Sequence, residues 1–114
     1  MKHSKKIFVL DLKDNPHLIA EYLEHHKNVW PEVLETFELK GIEEMEVYHV
    51  YDRLVMVINI NENYDGSDKN LTEKAIAITD EWEKLMWKYQ KAVPEAKKGQ
   101  KWVEMKPIFK YPKF

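Results

Sequence analysis

The pattern of apolar and polar positions divides the chain into strand-like and helix-like segments. Residues 6–12 (KIFVLDL) form a compact β-prone run that ends at turn-forming residues, which predicts a strand. Asn15 and Pro16 then resemble a helix cap followed by proline at the first helical position. Over residues 17–26 the apolar side chains recur at helical spacing. We therefore predict a first helix with one buried face.

A proline divides this helix from the next. Pro31 lacks a backbone N–H and disfavours helical backbone in Trp30 before it, so we predict a break over residues 28–30. A second helix should run from Pro31 to Leu39, and Gly41 is well placed to end it in the left-handed conformation.

The remaining segments alternate in type. Residues 45–60 carry period-two alternation followed by an apolar run, which predicts a hairpin that turns near Asp52 and Arg53. Turn-forming residues fill 61–70 and predict a loop, and helical spacing over 71–93 predicts one or two further helices. Residues 101–111 (KWVEMKPIFKY) predict a last strand, interrupted by its proline.

This order of elements indicates an α+β fold of the ferredoxin-like type, βαββαβ. We expect a four-stranded antiparallel sheet with the helices on one face. The chain has 114 residues and is 44% hydrophobic, which suits a single domain over residues 1–114. The second face of such a sheet needs a cover, and its aromatic and β-branched residues make a homodimer the expected solution.

Composition excludes several classes of function. The net charge is −2 and acidic and basic residues are interleaved, so we expect no nucleic-acid partner. Apolar runs are too short for a membrane span or a signal peptide. The chain lacks cysteine, which excludes disulfides and thiolate chemistry, and we expect a cytoplasmic protein.

Two residues of the first helix could carry chemistry. Tyr22 and His26 are one turn apart and share a face, where a phenol and an imidazole could bind hydroxyl groups and exchange protons near neutral pH. Spacing alone more often marks an ordinary helix face. A metal site is not indicated, because the adjacent His25 points about 100° away from His26. Trp30 and Trp82 could form an aromatic wall for a sugar or simply pack in the core.

Several quoted segments together resemble the L-rhamnose mutarotase family. EYLEHHKNVWPEV is similar to the family's signature of Tyr, three residues, His, three residues and Trp-Pro-Glu. IFVLDLK at the start, GI before the hairpin, EWEKLM and the ending FKYP extend the resemblance over nearly the whole chain. The resemblance implies a dimeric α/β barrel that interconverts the α and β anomers of a 6-deoxy sugar without a metal or organic cofactor.

The resemblance also implies roles for individual residues. His26 falls at the family's catalytic proton donor, Tyr22 at a sugar-binding position beside it, and Trp82 at the first of two tryptophans. Two positions differ, because Met45 stands where the rhamnose enzymes carry tyrosine and Glu83 where they carry the second tryptophan. A carboxylate can accept hydrogen bonds from sugar hydroxyls and a tryptophan cannot, which makes L-fucose a contender.

Three functions are therefore compatible with the sequence. The first is a mutarotase whose His26 protonates the ring oxygen while Tyr22 orients the monosaccharide or handles the anomeric proton, with Trp30, turned by Pro31, in the same pocket. The second is a small monooxygenase or haem-degrading enzyme on the same architecture. The third is a sugar-binding module without turnover.

Overall fold

The structure is a computed structural model that describes residues 4–112, so the outermost residues of the expected domain, 1–3 and 113–114, lie outside the described part. Its elements follow in the order β1 Ser4–Leu12, α1 Pro16–His25, α2 Pro31–Leu39, β2 Ile42–Val50, β3 Arg53–Ile60, α3 Glu73–Trp87, β4 Gln90–Lys91 and β5 Val103–Met105.

The strands form one antiparallel sheet in the order β2-β3-β1-β4, with β5 also beside β1. β1 and β3 pair over their full length, from Ser4 opposite Ile60 to Asp11 opposite Arg53. β4 and β5 pair with different parts of β1, so together they occupy the fourth strand position. The predicted α+β, ferredoxin-like class is confirmed.

The two faces of the sheet have different surroundings. Leu12 and Leu54 point toward the helices, where they pack in a buried core with residues of α1, α2 and α3 such as Tyr22, Val33 and Met86. The opposite face carries β-branched side chains from the same strands, and it leaves large apolar groups uncovered. The apolar part of this outer face of the sheet consists of Ile7, Val9, Tyr48, Val50, Val55, Val57, Val103 and Met105. Polar residues such as Glu46 and Asn59 and the Asp11–Arg53 ion pair lie on the same face.

Local signals in the sequence account for the ends of the first two helices. The Asn15 side chain accepts hydrogen bonds from the backbone N–H groups of His17 and Leu18, at 2.9 and 3.2 Å, and Pro16 follows at the first helical position. α2 begins at Pro31 as predicted. Gly41 lies just beyond its end with a φ of +89°, the left-handed conformation expected there.

The third helix is shorter than its apolar pattern predicted. α3 ends at Trp87, whereas the helical spacing over residues 71–93 continued to the end of that range. Tyr89 and Gln90 are buried at the edge of β1, where the Tyr89 carbonyl accepts a hydrogen bond from Lys13 at 2.8 Å. Tyr89 and Val93 are buried although they lie beyond the helix, so apolar residues at this spacing do not show where helix gives way to strand.

The last strand is also shorter than predicted. Only Val103–Met105 pairs with β1, and the extended pattern over residues 101–111 does not continue as strand. Pro107 follows two residues later and has no N–H to donate to a sheet, which explains why pairing stops.

Candidate functional site

A cavity of about 300 Å³ lies between the helices and the sheet. This volume is at the lower end of the range for small-molecule sites, about 300–1,000 Å³. Apolar side chains dominate its wall, and six polar ones from the described residues interrupt it. The polar residues at the wall are Tyr22, His26, Lys40, Tyr64, Glu83 and Gln90.

His26 is held at this wall by the end of α1. Its Nδ1 lies 3.0 Å from the backbone carbonyl oxygen of Tyr22, one turn earlier. A carbonyl can only accept, so Nδ1 carries the proton and Nε2 is the basic nitrogen of the neutral ring. The imidazole also packs against the Tyr22 ring, with centroids 4.4 Å apart, and against the edge of Trp82 at 5.9 Å. Its tautomer and orientation are therefore both defined.

Tyr22 is buried beside His26 and contacts a residue that follows α3. Nε2 of Gln90 donates a hydrogen bond to the Tyr22 hydroxyl oxygen at 3.3 Å, which leaves the Tyr22 O–H free to donate to another group. Burial is the main cause that raises the pKa of Tyr22 to about 12; the hydrogen bond from Gln90 opposes this shift and the charge of Glu83 adds to it. The phenol is therefore a hydrogen-bond donor at neutral pH and not a base.

Gln90 itself has an incomplete set of partners. Its side chain is almost fully buried, and its Oε1 makes no hydrogen bond within residues 4–112. An unpaired buried acceptor of this kind costs about 1–3 kcal/mol. Such a cost is tolerated most often at functional sites, and Gln90 lies at the cavity wall.

Glu83 lines the cavity next to Trp82 and forms an ion pair with Lys101. The Glu83 side chain is 45% exposed and that of Lys101 only 12%. Burial lowers the pKa of Lys101, and the ion pair with Glu83 partly opposes this shift. The Lys101 ammonium also lies 4.9 Å from the centre of the Trp87 ring.

The remaining residues singled out from the sequence have separate positions. Trp82 and Met45 line the cavity from α3 and β2. Trp30 does not reach the cavity wall. Its indole packs edge-on against Trp82 with centroids 5.1 Å apart, so it contacts a ring that lines the cavity. His25 points elsewhere, with Nε2 3.0 Å from the Tyr89 hydroxyl.

Four polar residues at or beside the cavity were not predicted from the sequence: Lys40, Tyr64, Gln90 and Lys101. Lys40 pairs with Asp68 of the loop at 3.2 Å while lining the cavity. Gln90 lies where helical spacing predicted more helix, and Lys101 lies in a segment read as strand. Nothing in their local pattern separates them from ordinary surface residues, because tertiary contacts alone bring them to the cavity.

The described residues contain neither a metal-binding cluster nor a membrane-spanning helix. Between residues 4 and 112, no three histidine, cysteine or carboxylate side chains come close enough together to hold a metal ion. No helix in the same part of the chain has the length and apolar character needed to cross a membrane.

The chain is similar to several known proteins over most of its length. The family model described as L-rhamnose mutarotase matches residues 5–111. The L-fucose mutarotase of Xanthomonas campestris pv. campestris is 40% identical over 111 residues, which cover 96% of this chain and 89% of that protein. A UPF0734 protein of Dictyostelium discoideum is 33% identical over 108 residues, or 88% of this chain and 83% of that protein.

The fold has a counterpart among solved structures. The crystal structure of an L-rhamnose mutarotase from Formosa agariphila superposes with a TM-score of 0.67 at 16% identity, covering 94% of this chain and 97% of that one. At this identity the likeness concerns the fold alone. The match of the family model and of the more similar relatives over nearly the whole chain identifies the protein: it belongs to the L-rhamnose mutarotase family and is an isomerase that acts on carbohydrates.

Proposed function

We propose that this protein, acting as a single domain, interconverts the α and β anomers of a 6-deoxy-hexose through His26 and Tyr22. The observation that carries the proposal is the fixed tautomer of His26. Its Nδ1 is occupied by the Tyr22 carbonyl at 3.0 Å, so Nε2 is the nitrogen available for proton transfer.

The proposed mechanism uses one imidazole for both proton transfers. Ring opening requires the anomeric hydroxyl to lose a proton and the ring oxygen to gain one. Both oxygens are bonded to the anomeric carbon, so Nε2 of His26 can accept the first proton and return it to the second. The aldehyde rotates, and the same transfers in reverse close the ring as the other anomer.

Tyr22 has the role of orienting the sugar in this mechanism. Because its pKa is raised to about 12, the phenol stays protonated at neutral pH and cannot act as the base. Its O–H is free to donate to a sugar oxygen, since the Gln90 amide already donates to the phenol oxygen. Trp82 contributes an apolar surface beside the imidazole.

L-fucose is the substrate that we favour, with L-rhamnose as the alternative. The L-fucose mutarotase relative is 40% identical over nearly the whole chain. Glu83 adds an acceptor at the cavity where the resemblance to rhamnose enzymes implies a tryptophan. Both sugars should be compared by saturation-transfer NMR, and binding of either without faster anomer exchange would favour a sugar-binding module instead.

Replacing His26 tests the mechanism directly. We expect His26→Asn to slow the catalysed exchange by about 10²–10⁴-fold, because this is the usual contribution of a general acid–base group. Saturation-transfer NMR measures the exchange rate, and circular dichroism checks the fold.

His25→Asn is the matched control. His25 is the adjacent histidine and contacts Tyr89 rather than the cavity, so its loss should leave the exchange rate within about threefold of the wild type. Near-normal exchange in His26→Asn, or an equal loss in both variants, would contradict the assignment.

The proposal includes a homodimer that acts in the cytoplasm. The outer face of the sheet exposes 54% of Tyr48 and 58% of Val50 among half-buried valines. A contiguous apolar surface of this kind is typical of an interface. The lack of cysteine supports a reducing compartment.

A further inference from the structure

The ion pair between Glu83 and Lys101 joins the cavity to a part of the chain that the proposed mechanism does not use. Glu83 belongs to α3 and lines the cavity. Lys101 lies just before β5, and its ammonium donates to Oε2 of Glu83. The ion pair therefore links the segment just before β5 to the cavity in which we place the sugar.

Lys101 is the more constrained partner. Its side chain is 12% exposed, and a buried ammonium needs compensation by charge and hydrogen bonding. Within the described residues two groups supply it, the Glu83 carboxylate and the face of Trp87 at 4.9 Å. The position of the ammonium is thus determined by burial and by contacts on both sides.

Glu83 would have much more freedom without this contact. Its side chain is 45% exposed, and an exposed glutamate on a helix has several accessible rotamers. Lys101 engages only Oε2, and Oε1 has no partner within residues 4–112. One carboxylate oxygen is therefore anchored, while the other remains available at the cavity.

The Glu83 carboxylate is also close enough to Tyr22 to affect it electrostatically. The charge of Glu83 contributes to the raised pKa of Tyr22, so the two groups interact electrostatically. A hydroxyl of a sugar bound beside Tyr22 would encounter a charged acceptor, which forms stronger hydrogen bonds than a neutral one.

We propose that Lys101 is a positioning residue that holds Glu83 as a charged acceptor for hydroxyl groups of the bound sugar, and that the pair thereby sets sugar preference. This inference rests on the proposed mutarotase function. Glu83 would touch the sugar, and Lys101 would act only through Glu83. Neither takes part in proton transfer, so the pair should govern binding more than turnover.

Three variants of the pair test the inference. Lys101→Met keeps the apolar stem and removes the charge, Lys101→Arg keeps the charge, and Glu83→Gln keeps the shape but weakens the acceptor. With L-fucose we expect Lys101→Met to raise KM and the calorimetric Kd by roughly 5- to 10-fold, because one charge-assisted hydrogen bond is weakened and not removed, while kcat falls by no more than about twofold. Lys101→Arg should restore most of the affinity.

The double variant separates positioning from a general structural effect. If Lys101 acts through Glu83, Lys101→Met should add less than about twofold to the loss already present in Glu83→Gln. The inference would be overturned if the losses of affinity in Lys101→Met and Glu83→Gln were fully additive. An unchanged KM in Lys101→Met, or a Lys101→Arg variant that does not restore affinity, would have the same consequence. Thermal unfolding of each variant checks that the fold is retained.

The outcome for the wild type distinguishes this inference from the function on which it rests. If the wild type accelerates anomer exchange and Lys101→Met changes neither KM nor Kd, only the positioning role of Lys101 is refuted. Calorimetric binding without exchange defeats the mutarotase proposal, and the Kd values of the same variants still decide the role of Lys101. Absence of binding to L-fucose and L-rhamnose overturns both.

Discussion

Two adjacent histidines have different surroundings in this protein. His26 packs on Tyr22 and Trp82 at the cavity, whereas His25 contacts the hydroxyl of Tyr89. The difference follows from the turn of about 100° between neighbouring residues of a helix. Assignment of chemistry to a pair of histidines therefore depends on which face of the helix meets the cavity.

Gln90 illustrates a conflict between stability and function at the scale of one residue. We expect Gln90→Leu to leave the free energy of unfolding unchanged or to raise it by about 1 kcal/mol, because the substitution removes the unpaired buried Oε1. The same change should slow anomer exchange by roughly 5- to 20-fold, since Tyr22 loses the bond that orients its hydroxyl. Urea denaturation and NMR exchange measure the two effects.

Thr79→Val is the control for this prediction. The Thr79 hydroxyl oxygen is also buried without a hydrogen bond within residues 4–112, but Thr79 is not at the cavity. Its replacement should have a similar effect on stability and none on exchange. Loss of about 2 kcal/mol of stability in Gln90→Leu, or unaltered exchange, would refute the role given to the amide.

At the scale of elements, Gly41 lies between α2 and β2 and packs closely against the loop that follows β3. A Cβ at this position would lie 2.7 Å from Oδ1 of Asn61 and 2.8 Å from the backbone nitrogen of Tyr64, and the φ of +89° disfavours any larger residue. We expect Gly41→Ala to lower the free energy of unfolding by about 2–4 kcal/mol, from backbone strain and crowding together. It should also weaken sugar binding, because Tyr64 lines the cavity.

Gly99→Ala separates the two contributions. Gly99 has a similar φ of +81°, but a Cβ there would meet no heavy atom within 4 Å. Gly99→Ala should therefore lower the free energy of unfolding only by the backbone strain, about 1–2 kcal/mol, and should not change sugar affinity. Equal losses of stability in the two variants, measured by chemical denaturation, would argue against crowding at Gly41.

The elements differ in how far the sequence predicts them. The ends of α1 and α2 depend on Asn15, Pro31 and Gly41, whose effects are local, and the structure has them where the sequence predicts. The pair of Tyr22 and His26 is likewise predictable, because one helix carries both. The end of α3 and the division of the fourth strand depend on pairing with β1, so Gln90 and Lys101 could not be assigned to the site from local pattern.

At the scale of the whole molecule, the outer face of the sheet should control assembly. We expect wild-type protein to be dimeric in sedimentation velocity, and Tyr48→Glu to weaken the dimer at least tenfold. A new carboxylate on this face would be buried twice in an interface with two-fold symmetry, without a partner. Tyr48 is 54% exposed in the single chain, so the substitution should not disturb the core.

Leu34→Glu provides the comparison for this prediction. Leu34 is similarly exposed, at 50%, but lies on α2, on the other side of the sheet. Its replacement should leave the dimer intact. A monomeric wild type, or dissociation by Leu34→Glu alone, would exclude the sheet face as the interface.

The division of the fourth strand into β4 and β5 has a consequence for how sugar preference can diverge among relatives. Residues 92–102 connect the two short strands, and the groups at either end of this connection, Gln90 and Lys101, reach Tyr22 and Glu83. The imidazole to which we assign proton transfer, that of His26, lies at the end of α1, which is distant in the chain from this connection. With the roles proposed above, we expect substitutions in this connection to change which sugar binds while the rate of proton transfer is retained, so substrate preference and chemistry can change independently.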